Sequence, residues 1–292
     1  MANEYVEWFV NREKQRQGFI LMLEGKTAKQ IMVIKAGPEM GKTWLIQRLY
    51  HDCRGRGTPV AVLDFSQRQP WDYLTIVRQA RDQFGSPHFN YLTNVINAST
   101  GVHVELSTEK VEVNVPIQNS ELINSPVNVS EVRLTADKFD IVKTDSDMVR
   151  RNLEIRITDA FIACVQALAQ GQRVVFLLDT MELAPPPATD WLVNNLLWRV
   201  RRGDLPGVLL IMAGREVPEL DRTWDGWVGK SGLDPFDDKH IEEFILKRGL
   251  QGRSNVTVAA LLMFSRGSPG MLGKMADNAL AEDLAKDPEP WM

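Results

Sequence analysis

Ile31-Met32-Val33-Ile34-Lys35-Ala36-Gly37-Pro38-Glu39-Met40-Gly41-Lys42-Thr43 is the stretch on which the fold turns. Its first four residues are a short apolar run rich in β-branched side chains, which reads as a buried strand. A glycine-containing turn follows at once, and from Gly41 the apolar positions Leu45, Ile46 and Leu49 fall on one face of a helix. Between strand and helix, Ala36 to Thr43 fits the relaxed phosphate-loop pattern, with Gly or Ala first and Gly-Lys-Ser/Thr last. The chemistry accounts for the spacing. Such a loop turns backbone N–H groups inward around phosphates, and the following helix adds its positive N-terminal end. Gly41 permits close backbone approach, Lys42 reaches the β and γ phosphates, and Thr43 offers a hydroxyl to Mg²⁺. From average residue usage, a match would arise by chance in roughly two of a hundred chains this long. Ala36 replaces the usual glycine, which the backbone tolerates if its φ is negative. Ala36, Gly37, Pro38, Glu39, Met40, Gly41, Lys42, Thr43 and the adjoining Trp44 are therefore the nucleotide-binding positions expected on the loop.

Outward from the loop, strands and helices alternate. Helical spacing over residues 6 to 24 precedes it, and a strand over Pro59–Phe65 and a helix over Trp71–Phe84 follow it. A long helix is expected from Met148 to Leu168, then a strand at Val174–Leu178 closed by Asp179, a helix carrying Leu192, Leu196 and Val200, and a strand over Gly207–Met212. This order predicts a three-layer α/β/α fold around a parallel sheet. Between 86 and 146 the composition shifts to Asn, Ser, Val and Thr, with apolar residues alternating at 111, 113, 115 and 117. That period predicts a β-rich insertion, with a flexible loop as the alternative. Past about 226 the strands are expected to stop. Helices near 238–248, 256–265 and 270–284 then make a small C-terminal helical domain, so that residues 1–225 form the core and 226–292 the smaller unit.

A second acidic group should end a neighbouring strand to hold the magnesium, and Asp179 is the natural candidate. Thr180 stands where a carboxylate often follows, so Glu182 is the candidate for polarising an attacking water. Arg215, after the strand at 207–212, would bring a cation to the γ-phosphate. With Lys42, these are the expected catalytic residues.

Composition bounds the alternatives. With 34 Lys and Arg against 38 Asp and Glu, the net charge of −4 gives no global footprint for nucleic acid or an anionic membrane. Arg199, Arg201 and Arg202 read as a solvated helix end. The 2 cysteines, Cys53 and Cys164, suit buried free thiols, and with no apolar run near the roughly 18 residues of a membrane span a cytoplasmic location is expected. The 4 histidines share no metal-ligand spacing.

Taken together, these residues resemble the STAND branch of the AAA+-type P-loop NTPases, the signalling ATPases related to NACHT and NB-ARC modules. The resemblance adds Phe9-Val10-Asn11-Arg12-Glu13, similar to the family's start near the adenine, with Arg12 as a contact. Asp179-Thr180-Met181-Glu182 is similar to its Walker B segment, and Arg215 to a sensor arginine. Gly267-Ser268-Pro269 resembles the Gly-x-Pro motif, whose proline packs near the base. What it implies is an ATP-dependent switch in signalling or bacterial defence, binding ATP or ADP with Mg²⁺ and hydrolysing slowly. A nucleotide-binding scaffold without turnover is the alternative. No sensing or output module is visible, so an effector or sensor on a separate chain is expected as partner, and self-assembly into a homo-oligomer is open.

Overall fold

The computed structural model describes residues 7–100, 147–252 and 256–286. Its centre is a five-stranded, wholly parallel sheet of β1 (Ile31–Lys35), β2 (Val60–Asp64), β3 (Val174–Asp179), β4 (Val208–Gly214) and β5 (Val228–Gly232), in the order β2-β3-β4-β1-β5. Parallel strands need crossovers, and helices supply them. They are α1 (Glu13–Leu23), α2 (Lys42–Gly55), α3 (Tyr73–Phe84), α4 (Asn90–Thr100), α5 (Asp147–Leu168), α6 (Pro186–Trp191), α7 (Trp198–Arg202), α8 (Asp238–Lys247), α9 (Val258–Ser265) and α10 (Pro269–Lys286). A π-helical turn, Leu192–Leu197, joins α6 to α7.

Both faces of the sheet are covered, which is why its strands read as apolar runs rather than alternations. Along β3, Val174, Phe176 and Leu178 enter one core with Ile76, Phe84, Phe161 and Trp191, while Val175 and Leu177 enter the other with Phe19, Leu45, Ile46 and Leu49. The period-two pleat thus splits each strand between two helical layers. Burying each such Leu, Ile, Val or Phe contributes about 1.5–3 kcal/mol.

Four expectations change, three of them in the bounds of elements. The helix foreseen over 6–24 proper begins only at Glu13, because Asn11 and Arg12 take the left-handed conformation (φ 61° and 78°) and turn the chain into it. The insertion does not begin at 86: Ser86–Phe89 is a 3₁₀ turn and α4 follows, with Phe89, Leu92 and Ile96 packed into the core on α5. Polar composition hid a helix whose apolar residues fall on one face. The alternating positions from 102 onward lie outside the described residues. Nor do the strands stop near 226, since β5 pairs with β1 from Ile31↔Val228 to Lys35↔Gly232. As an edge strand with only Val228 buried, Val228-Gly229-Lys230-Ser231-Gly232 carries almost no apolar signal. The sheet therefore extends past the boundary placed at 225.

Arg201 is also no solvated helix end. Its guanidinium carbon lies 4.7, 4.8 and 5.8 Å from the ring centres of Trp198, Trp224 and Trp227, a cation–π cluster, while Arg199 pairs with Asp159.

Candidate functional site

In a parallel sheet every strand ends on the same edge, and ligands bind outside those carboxyl ends. Lys35 is level with Gly214 and Gly232, and Asp64 with Asp179, so the phosphate-loop segment, Asp179 and Arg215 all leave the sheet on one side. In the loop itself Gly41 has φ 82°, and Ala36, which stands where glycine is usual, is not among the positive-φ residues. Glu39 is, at 59°. Leu45 N–H donates to Gly41 O at 3.0 Å, which closes the first turn of α2 directly behind the loop.

Lys42 folds over its own loop, its Nζ donating to Ala36 O at 2.9 Å and Gly37 O at 2.6 Å. Burial lowers its pKa, while the charges of Glu182 and Asp179 act the other way. Thr43 hydrogen-bonds to Asp179, whose carboxyl is raised above the ordinary range chiefly by burial, against the Thr43 and Thr180 hydrogen bonds. Asp179 is 2% exposed. A buried carboxylate beside a hydroxyl and a lysine, destabilised in its charged form, is a site short of positive charge. Two oxygen donors, Thr43 and Asp179, fit the hard-cation chemistry of Mg²⁺. Among the described residues no cluster of three His, Cys, Asp or Glu residues forms a separate metal site.

Glu182 and Arg215 meet each other. Arg215 Nε donates to Glu182 Oε1 at 2.7 Å and its backbone N–H to Oε2 at 2.9 Å. Burial works to raise the Glu182 carboxyl, but the Arg215 bonds and the charge of Lys42 hold it below its ordinary value. The close fit needs Gly214, where a Cβ would lie 2.9 Å from Glu182 Oε2 and 2.5 Å from Glu216 O.

Over the loop runs the helical segment. A cavity of about 400 Å³ lies between Met40, Gly41, Lys42, Thr43 and Trp44 on one side and Phe236, Phe244, Arg248, Pro269, Gly273 and Asp277 on the other, with Trp8, Phe9, Val10 and Arg12 closing it. Pro269 abuts Gly41: a Cβ there would sit 3.6 Å from the proline ring. Arg12 lines the cavity, yet its donors go to protein, to Asp234 O at 2.7 Å and Met40 O at 3.0 Å, and its cation lies over Phe236. Sequence reasoning missed Trp8, Arg248, Gly270, Gly273, Lys274 and Asp277. The glycine-rich run Gly267-Ser268-Pro269-Gly270 held a signal, because Gly270 N–H and Ser268 Oγ both donate to Glu39 O, at 2.8 and 3.2 Å. A Cβ on Gly270 would meet Glu39 Cβ at 2.6 Å, so only glycine allows this approach. Lys274 completes the contact by pairing with the Glu39 carboxylate.

The five-stranded parallel α/β sheet, with a glycine-containing loop between β1 and α2, is compatible with a P-loop NTPase-like fold. No protein-family model matches the chain, and no curated protein matches it. Among solved structures, the chain is similar to the crystal structure of a Signal Transduction ATPase with Numerous Domains (STAND) protein with a tetratricopeptide repeat sensor from Pyrococcus horikoshii. The match has 13% sequence identity and a TM-score of 0.46, and covers 90% of this chain and 29% of that one. The chain thus spans less than a third of that protein's length. Among the described residues no helix is long and apolar enough to cross a membrane.

Both cysteines are buried and free, and burial pushes the Cys53 thiol up to about 12, which makes it a packing residue rather than a nucleophile.

Proposed function

We propose that this protein is an ATP-binding switch of the STAND type, with slow Mg²⁺-dependent hydrolysis coupled to movement of a helical lid, 238–286, and read by a partner on another chain. The observation that carries it is the convergence of Lys42, Thr43, Asp179, Glu182 and Arg215 at one sheet edge beneath a helix bonded directly to the loop. Lys42 exchanges its two loop carbonyls for phosphate oxygens, stronger acceptors for an ammonium. Thr43 and Asp179 would hold Mg²⁺, which would supply positive charge to the phosphates. Glu182 orients and deprotonates the water that attacks the γ-phosphorus, and ADP leaves. Because the lid touches the loop through Glu39, occupancy of the loop changes what the lid can hold, and lid position is the output.

One observation favours a second reading, a nucleotide-binding scaffold without useful turnover. Both Glu182 oxygens are engaged by Arg215, and its carboxyl is held below the ordinary range, which weakens it as a base. Phosphate release from ATP separates the two. A switch loses turnover and binding in Lys42→Ala, and in Glu182→Gln keeps binding but loses turnover. Wild-type protein that holds ATP or ADP with no release is the scaffold, and wild type that binds neither ends both readings.

A further inference from the structure

Asp64 ends β2 level with Asp179 on β3, and the pleat turns the two residues the same way. Along β2, Ala61 and Leu63 enter the core that holds Phe176, while Val60 and Val62 pack with Leu45 and Leu49; along β3, Leu178 belongs to the first core and Leu177 to the second. Asp64 and Asp179 therefore both face the layer of α2, whose second residue is Thr43. One strand spacing, about 4.8 Å, separates their backbones. Burial chiefly, and the charge of Asp64 with it, raises the Asp179 carboxyl, so the two groups feel each other.

β2 is an outermost strand, with no neighbour beyond it to hold Asp64 in place. Gln83 on α3 does that work at Val62: its amide accepts from Val62 N–H and donates to Val62 O, both at 2.8 Å, as a further strand would. On the inner side, Phe65 N–H donates to Asp179 O at 3.2 Å. The Asp64 carboxylate is oriented through one oxygen, Oδ1, which accepts from Ser66 N–H at 3.0 Å and Ser66 Oγ at 2.7 Å. Its Oδ2 makes no hydrogen bond among the described residues. An asparagine would serve this turn equally, because the turn uses a single acceptor. What a carboxylate adds is a second oxygen and a negative charge, beside a buried carboxylate already short of positive charge. Two like charges on adjacent strands are unfavourable until a cation joins them.

We propose that Asp64 is an outer carboxylate of the cation site: held by Ser66 and the Gln83 clamp, it accepts hydrogen bonds through Oδ2 from water on the Mg²⁺ that Thr43 and Asp179 would bind. The proposal rests on the phosphate-loop reading of residues 36–43. Mg²⁺ dehydrates reluctantly and keeps several waters in protein sites, so groups beyond its direct ligands fix it through those waters. Asp64 is a positioning residue in this role. It touches neither the phosphates nor the attacking water, and its charge raises the affinity of the site for a divalent cation. It also ties the loop to that cation, because without metal a pair of carboxylates beside the phosphates repels them. Nucleotide is then held well only together with Mg²⁺.

Calorimetric titration of the whole chain with ADP over a series of free Mg²⁺ concentrations, down to none with a chelator present, tests this. Two quantities are read: the metal-free affinity, and the Mg²⁺ concentration at which half the gain in ADP affinity is reached. Asp64→Asn keeps the Ser66 turn and is expected to raise that midpoint about tenfold or more, while metal-free ADP binds as tightly as to wild type or tighter. Its melting temperature without metal stays at or above wild type, because a like-charge pair has been removed, and this separates loss of the charge from misfolding. A midpoint within twofold of wild type, or a metal-free affinity that falls in the same proportion, overturns the role of Asp64 and leaves the phosphate loop standing. Wild type that binds ADP equally with and without Mg²⁺ overturns it together with the cation site. Failure of wild type to bind ADP at all removes the phosphate-loop reading and this inference with it.

Discussion

On the sheet side of the cavity β3 and β4 bury every residue they contain, whereas on the helical side α8 and α9 leave Leu246, Met263 and Phe264 more than half exposed. The helical segment has its own small core, Val10, Phe236, Ile241, Phe244, Leu250, Leu261, Leu272 and Ala276. Its junction with the loop is local and mostly polar: Glu39 O, the Glu39 carboxylate and the Arg12 bonds to Asp234 O and Met40 O, with the Pro269 ring against Gly41. A rigid half built on area faces a half docked through a few directional contacts. Area holds the first in fixed geometry, and the second has fewer contacts to break in a local opening.

The largest expected effect lies in the rigid half. Phe176→Ala, which removes a fully buried ring packed on Phe84 and Phe161, costs about 3–5 kcal/mol. Urea denaturation measures it, and hydrogen exchange should show β3 and β4 amides opening only with the whole fold while α9 and α10 open earlier. Equal protection in both halves would erase the contrast. At the junction, Gly270→Ala forces a Cβ onto Glu39 and costs about 1–3 kcal/mol. Its exchange effect should be confined to α8–α10, and a loss spread through the sheet would mean the halves are one cooperative unit. Arg12→Met leaves the carbonyls of Asp234 and Met40 without that donor, for a similar loss of about 1–3 kcal/mol in the same melts.

Asp179→Asn should go the other way. Because burial raises its folded pKa, the wild-type contribution to stability is greatest below the ordinary carboxylate value and falls as pH rises toward the raised one. Removing the charge therefore stabilises the protein at neutral pH by about 0.5–2 kcal/mol, read as a higher melting temperature, while Mg²⁺-dependent nucleotide binding weakens. Smallest is the Glu182–Arg215 pair. Glu182 has a lowered pKa, so the pair stabilises above the ordinary carboxylate value and the gain is lost as pH falls through the lower folded one. Arg215 is half exposed, and Arg215→Gln should cost no more than about 1 kcal/mol at pH 7 and nothing in strong acid.

The sequence by itself determined the elements whose signal is local: the apolar runs of β1, β3 and β4, the helical periods of α2, α3 and α5, and a glycine-containing turn between β1 and α2. It also singled out Asp179, because an acid closing an apolar run stands out. Only the tertiary structure decided the rest. β5 is a strand because β1 offers it an open edge, not because Gly229 and Lys230 favour one. Glu182 and Arg215 become a pair only when β3 and β4 lie side by side. Trp8, Arg248, Gly273 and Asp277, distant in the chain, share a cavity because α10 lies over the loop on Gly270. Periodicity records which face of an element is buried, but which elements meet there is fixed by packing across the chain, and no local pattern carries that information.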